Sequence, residues 1–224
     1  MRQYWTAPEL WPGATIVCIA GGPSLTGAQV DACRARLDAA RSRVRAIAIN
    51  DAYRLAPWAD VLYFCDDKWW GSFKNGEKLK HWNGLIVRMD GGQYNFGDPR
   101  IKVMKNAETG PGLCPFRDGL NTGRNSGFQA INLAVHLGAK RILLLGYDMH
   151  APLVNGRPKA HWFGDHPGGT SPSVYGQFLP WFDTLVKPLA AKGIEIVNCT
   201  PGSHLRAFPV GRIEDALATT EAAA

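Results

Sequence analysis

The feature that most constrains this chain is a recurring unit: a short apolar run that stops at a polar or glycine-rich tip. Residues 15–20 run into Gly21-Gly22-Pro23-Ser24, residues 45–49 stop at Asn50-Asp51, residues 60–65 at Asp66-Asp67, and residues 141–145 at Gly146. Short β-branched and aliphatic runs closed by turn signals read as buried strands, and the run 141–145 has the near-continuous apolar character of a strand covered on both faces. Helical patterns lie between them. Residues 26–40 place Val30 and Leu37 on one face, and residues 126–137 place Phe128, Ala130, Ile131, Ala134, Val135 and Leu137 in a strongly apolar helix ended by Gly138. Strand, polar tip and helix in alternation is the rhythm of a parallel sheet. The sequence therefore predicts an α/β, doubly wound, Rossmann-like parallel sheet in a single domain over residues 1–224.

The middle is less regular. Residues 84–88 and 101–104 read as short strands around a loop at 90–99, residues 174–192 as a helix disturbed by Pro180 and Pro188, 194–197 as a last strand, and 213–219 as a short helix before a frayed Ala-rich end. Segments 68–120 and 146–173 are expected to cap the ligand edge as a loop-rich lid. No internal repeat or linker divides the chain.

At 224 residues, 46% apolar and 20% charged, the chain has enough apolar surface for one globular core. No apolar run approaches the roughly 18 residues of a membrane span, and the patch 16–20 is too short for a secretory leader, so a cytoplasmic protein is expected. The five cysteines stand at wide spacings without a C-x-x-C pair, which predicts buried apolar residues rather than disulfides or a zinc site. A net charge of +6 favours acidic partners; part of it, Arg34, Arg36, Arg41, Arg43 and Arg45, reads as a solvated helix face. Of the eight Trp, the grouped Trp69, Trp70 and Trp82, or Trp162 and Trp181, pack a core or line a site.

In an open parallel sheet, ligands bind where strands end at their carboxyl edge, and the candidate site residues fall there. Gly21, Gly22, Pro23 and Ser24 leave room for a phosphate at the start of a helix, although a plain tight turn explains them too. The turn is neither G-x-G-x-x-G nor a P-loop. Asn50 and Asp66 occupy the next two tips, where a side chain hydrogen-bonds a ribose or sugar, or else caps a helix. Thr122, Arg124, Asn125 and Ser126 gather donors before the strongest helix. After the run 141–145 come Gly146, Asp148, His150, His161 and His166. Three histidines with acids after one buried strand suit proton transfer better than a metal, since no tight ligand motif is present. Among the histidines, His166 in its glycine-flanked loop is the leading general base and His161 the second.

Three segments, Cys18-Ile-Ala-Gly-Gly-Pro-Ser-Leu25, Ala48-Ile-Asn-Asp-Ala-Tyr53, and residues 125–148 from Asn125-Ser-Gly to Gly-Tyr-Asp148, together resemble the bacterial sialyltransferases that use CMP-sialic acid. Their relatives include flagellin-modification factors and an archaeal hydroxymethylpterin pyrophosphokinase, and the wording is most similar to a phage or prophage branch. The likeness spans roughly residues 15–210. It implies that Gly21 to Ser24, Asn50, Asp66, Asn125 and Ser126 hold a nucleotide-sugar donor of CMP type, that His166 is the general base, and that His150 stands where the family has a tyrosine on the leaving phosphate. Gly21 departs from the family's asparagine. The resemblance implies a glycosyltransferase that needs no metal or other cofactor, with a glycan or a modified DNA base as acceptor. The alternatives are a pyrophosphokinase-like enzyme carrying Mg²⁺ on Asp66, Asp67 or Asp148, and a nucleotide-binding protein without catalysis.

Overall fold

A computed structural model describes residues 3–40, 43–71, 73–91, 98–164 and 174–222. Strand β1 (Ala14–Ile19) leads to helix α1 (Gly27–Ala39), β2 (Val44–Ile49), a 3-10 turn (Asn50–Arg54) and β3 (Val61–Phe64). Short helices α2 (Asp67–Trp70) and α3 (Asn75–Lys78) precede β4 (Leu85–Met89), β5 (Ile101–Asn106) and β6 (Gly119–Leu120). Helix α4 (Ser126–His136) then returns the chain to β7 (Ala139–Leu145). The hairpin β8 (Leu153–Val154) and β9 (Arg157–Pro158), helix α5 (Val174–Ala191), β10 (Glu195–Asn198) and α6 (Ile213–Ala222) complete the described elements.

Eight strands form one parallel sheet in the order β10-β7-β1-β2-β3-β4-β5-β6. Period-two alternation along the strands divides the core. Ile16, Cys18, Ile47, Ile49, Ile142 and Leu144 pack with α4 and α5, while Val17, Ile19, Ala46, Ala48, Leu143 and Leu145 pack with Val30, Cys33 and Leu37 of α1 and with α6. The sheet is doubly wound, as the sequence predicts. Helix α1 begins at a capping box between Thr26 and Gln29, and α4 is buried on nearly every side.

Three readings are corrected. Segment 68–120 contributes β4, β5 and β6 to the sheet, and none of its described residues lines the cleft described below. Helix α5 runs unbroken through Pro180 and Pro188. Pro180 and Gly176 are both exposed, so the carbonyl that loses its donor faces solvent. The arginines of 34–45 do not form one solvated face: Arg34 pairs with Asp38 on α1, whereas Arg45 lies on β2, half-buried against Asp60 and over Trp11.

Among the described residues no helix is long and apolar enough to cross a membrane. All five cysteines are free, and burial pushes the thiols of Cys18, Cys33 and Cys199 up to about 12, which keeps them inert. Trp69 and Trp70 are buried with Phe64 in a third cluster. Beside it, Arg88 of β4, only 1% exposed, bonds Asp67 at 2.6 Å, and Asp90 lies at 4.0 Å. Arg88→Met strands those carboxylates and should cost roughly 3–5 kcal/mol in denaturant melts; a loss under about 1 kcal/mol would show that the pair is solvated.

Candidate active site

The sheet reverses direction of growth between β1 and β7, because β2 to β6 extend one way and β7 and β10 the other. Loops leaving two such strands diverge and open a crevice at their carboxyl ends. Here the two loops first stay paired: the Ala20 N–H donates to Leu145 O at 2.8 Å and the Gly22 N–H to Gly146 O at 2.9 Å. Glycine is required on both sides of this contact. A Cβ on Gly22 would stand 1.9 Å from Asp148 Oδ2 and 2.4 Å from Gly146 O, and Gly146 has φ +70° with Ala20 O 2.6 Å from its missing Cβ.

The cleft above this contact encloses about 160 Å³ and is lined by Gly21, Gly22, Pro23, Asn50, Asn125, Ser126, Gly146, Asp148, His150 and His161, together with Tyr175, Phe163 and neighbouring residues. Ten of the residues singled out in the sequence thus meet in one place. Ser24 lies just behind the lining, its N–H donating to Asp148 Oδ1 at 3.0 Å. Thr122 and Asp66 do not reach the cleft. The Thr122 carbonyl accepts from Gln129 Nε2 within the turn before α4, and exposed Asp66 caps α2 by accepting from the Lys68 N–H at 2.8 Å. Arg124 is exposed. His166 lies outside the described residues, as does the rest of the segment 165–173.

The turn 21–24 differs chemically from its sequence reading. The N–H groups of Gly22, Ser24, Leu25 and Thr26 are all engaged, on Gly146 O, Asp148 Oδ1, Gly22 O and Gln29 Oε1, and Pro23 has none. A carboxylate already holds the Ser24 N–H, one of the donors the sequence reading assigns to a phosphate. Likewise Asn125 Oδ1 caps α4, accepting from the N–H groups of Gly127 and Phe128.

What the cleft does offer is unsatisfied polar chemistry. Among the described residues, Asn50 Oδ1 and Asp148 Oδ2 belong to cleft-lining side chains and are buried without a hydrogen-bond partner. Buried polar atoms are normally paired, so their convergence around one cleft is a mark of ligand binding. Asn50 also sits at φ +50°, a strained backbone position at the tip of β2. Asp148 is 3% exposed, and burial raises its pKa against the lowering effect of the Ser24 bonds. The Tyr175 hydroxyl is raised too, by burial and then by the charge of Asp148.

The far wall belongs to the loop after the hairpin. His161 Nδ1 and the Trp162 N–H both lie 3.2 Å from Gly21 O, His161 stacks on Phe163, and Arg54 lies over Trp162 and Phe163. His150 places Nε2 3.2 Å from Gly202 O and stacks on His204. Tyr175 and Phe163 were not among the predicted site residues, and the sequence reads Trp162 as packing a core or lining a site. Trp162 and Phe163 adjoin His161 in sequence, a usable signal, whereas nothing local marks Tyr175 at the start of α5.

No protein-family model matches the chain, and no curated protein sequence does. Among solved structures, it is similar to the MAf glycosyltransferase from Magnetospirillum magneticum AMB-1, with a TM-score of 0.55 at 16% sequence identity. The fold is shared with a glycosyltransferase. The alignment covers 94% of this chain and 37% of that one, so the chain spans little more than a third of the neighbour's length. At this identity the likeness speaks for the α/β architecture alone.

Proposed function

We propose that the chain is a nucleotide-sugar-dependent glycosyltransferase of the sialyltransferase-like kind, working without a metal at the cleft between β1 and β7. The observation that carries this reading is the pair of buried acceptors at the cleft, Asn50 Oδ1 and Asp148 Oδ2, that have no hydrogen-bond partner among the described residues. Both atoms can only accept, which suits the hydroxyls of a ribose or sugar. A phosphate is repelled by Asp148, so the donor enters with its hydroxyl-bearing end toward Asp148 and its phosphate toward His150, His161 and the Tyr175 hydroxyl. The volume, about 160 Å³, is below the roughly 300–1,000 Å³ of a pocket for a whole drug-sized ligand, so this part of the cleft takes one end of the donor. His166 takes the proton of the acceptor hydroxyl. The Mg²⁺ reading is less favoured, because Asp66 caps α2 and Asp67 binds Arg88, leaving Asp148 as the one of those three carboxylates at the cleft.

Thermal shift in EDTA with CMP, UMP, GDP, ATP and their sugar conjugates tests this. A binder at 100 times its Kd adds about 2.7 kcal/mol of stability. A shift with a nucleotide sugar is expected; a shift with ATP only when Mg²⁺ is supplied would move the assignment to phosphoryl transfer. Asp148→Asn keeps an oxygen for the Ser24 N–H but turns the cleft acceptor into a donor, and should weaken donor binding roughly 10- to 100-fold. A ligand hydroxyl favours the ionised carboxylate. Because Asp148 has a raised pKa, wild-type affinity should be full above that pKa and fall as pH drops through it, and the Asn variant should lack this dependence.

A further inference from the structure

The cleft segment after β7 is held from behind by the loop that follows β10. The Tyr147 N–H donates to Thr200 Oγ1 at 2.9 Å, Ser203 Oγ donates to Tyr147 O at 2.6 Å, and the His204 N–H donates to Asp148 O at 2.8 Å. Gly202 O, in the same loop, meets His150 Nε2. Residues 200–204 of one loop thus fix residues 147–150 of the other, and Thr200 and Ser203 are buried while doing so. The last contact is between rings: His204 and His150 stack with centroids 4.1 Å apart and planes 22° from parallel.

We propose that His204 is a positioning residue for His150, its ring and the Gly202 carbonyl together fixing the His150 imidazole so that Nδ1 is the nitrogen presented to the donor's phosphate. This rests on the nucleotide-sugar reading above. A carbonyl only accepts, so the nitrogen facing Gly202 carries a proton and the tautomer is set. Nδ1 is then a bare acceptor in the neutral ring and a donor in the imidazolium, the form that a phosphate beside it selects. Without a stacked neighbour, an imidazole bound to one carbonyl on a loop rotates about that bond and loses its aim. His204 is chemically suited to stacking here, because desolvation, then His150 and Arg206, lower its pKa and favour a neutral aromatic ring against His150. Asp148 bears on the pair from the β7 side and Arg206 from the β10 loop.

Nitrogen-15 NMR of the imidazole rings reads the tautomer without any ligand. Wild type should show His150 protonated at Nε2, His204→Ala a mixture of both tautomers, and His204→Phe, which restores a flat ring without its nitrogens, the wild-type pattern. With CMP as the probe, His204→Ala should bind roughly tenfold more weakly, about the value of one hydrogen bond to a charged group, and His204→Phe should recover most of that loss. An unchanged His150 tautomer with unchanged CMP affinity in His204→Ala overturns the proposal. Equal losses in the Ala and Phe variants, with the fold intact by circular dichroism, also overturn it, because stacking is then not what His204 contributes. Failure of CMP and its sugar conjugates to bind wild type, alongside tautomer scrambling in His204→Ala, defeats the nucleotide-sugar reading and upholds the positioning role.

Discussion

His166→Ala should lower kcat by about 10²–10⁴ while leaving donor affinity within a few fold, since a general base acts in the transition state and not in the ground-state complex. The basis is its place in sequence, after the run that forms β7, and its match to the general-base position of the sialyltransferases that the sequence resembles. The rival is His161, which lines the cleft but has its Nδ1 against Gly21 O and its ring against Phe163, an arrangement suited to holding the loop in place. His161→Ala should therefore raise KM more than it lowers kcat. The rate should also fall as pH drops and the base takes up a proton, and that limb should vanish in the His166 variant. If His161→Ala carries the loss in kcat and His166→Ala does not, the base is His161; if both variants lose only donor affinity, the base lies elsewhere.

Gly22→Val should be among the most damaging substitutions in the chain, and for a reason other than blocked ligand access. Its first side-chain atom falls 1.9 Å from Asp148 Oδ2, whose carboxylate is buried and tied through Oδ1 to the Ser24 N–H, and 2.4 Å from the Gly146 backbone carbonyl, which cannot swing aside. Relief requires the loops after β1 and β7 to part, which breaks the Gly22-to-Gly146 hydrogen bond and the Ser24-to-Asp148 bond with it. Overpacking of this kind costs about 1–3 kcal/mol or more, and roughly 2–4 °C in Tm accompanies each kcal/mol for a chain of this size. Gly21→Ala is the control. Its Cβ meets Phe163 at 3.4 Å and His161 at 3.5 Å, ordinary contacts, so Tm should hardly change while donor binding weakens at the cleft wall. A Tm for Gly22→Val equal to that of Gly21→Ala would show that the two loops are not packed as described.

The site was legible in sequence to the extent that it depends on strand ends. Asn50, Asn125, Asp148 and His150 each follow an apolar run or open the strongest helix, and a parallel sheet gathers such positions on one edge. The chemistry of the first turn was not legible, because the Ser24 N–H is engaged by Asp148, a residue 124 positions away. Asp66 shows a different limit: a carboxylate that caps a helix and one that holds a ribose have the same sequence context, and only the bond to the Lys68 N–H separates them. Strand β6 spans two residues, Gly119 and Leu120, too short for any period to register. Tyr175 enters the cleft because the long crossover through α5 starts there, a matter of topology that no neighbouring residue announces.

The neighbours of β1 also set an order of events. On one side β1 pairs with β2, close in sequence; on the other it pairs with β7, beyond five intervening strands of the sheet. Long-range parallel pairing is slow to form because loop closure precedes any return from contacts. On the ribosome, the edge of β1 therefore waits unpaired while most of the chain is made, and the cleft comes into being only as β7 slots in. A donor that binds this cleft has no purchase on earlier intermediates. Its binding energy bears on the final closure and on reopening, so ligand in the cell should slow unfolding far more than it speeds folding.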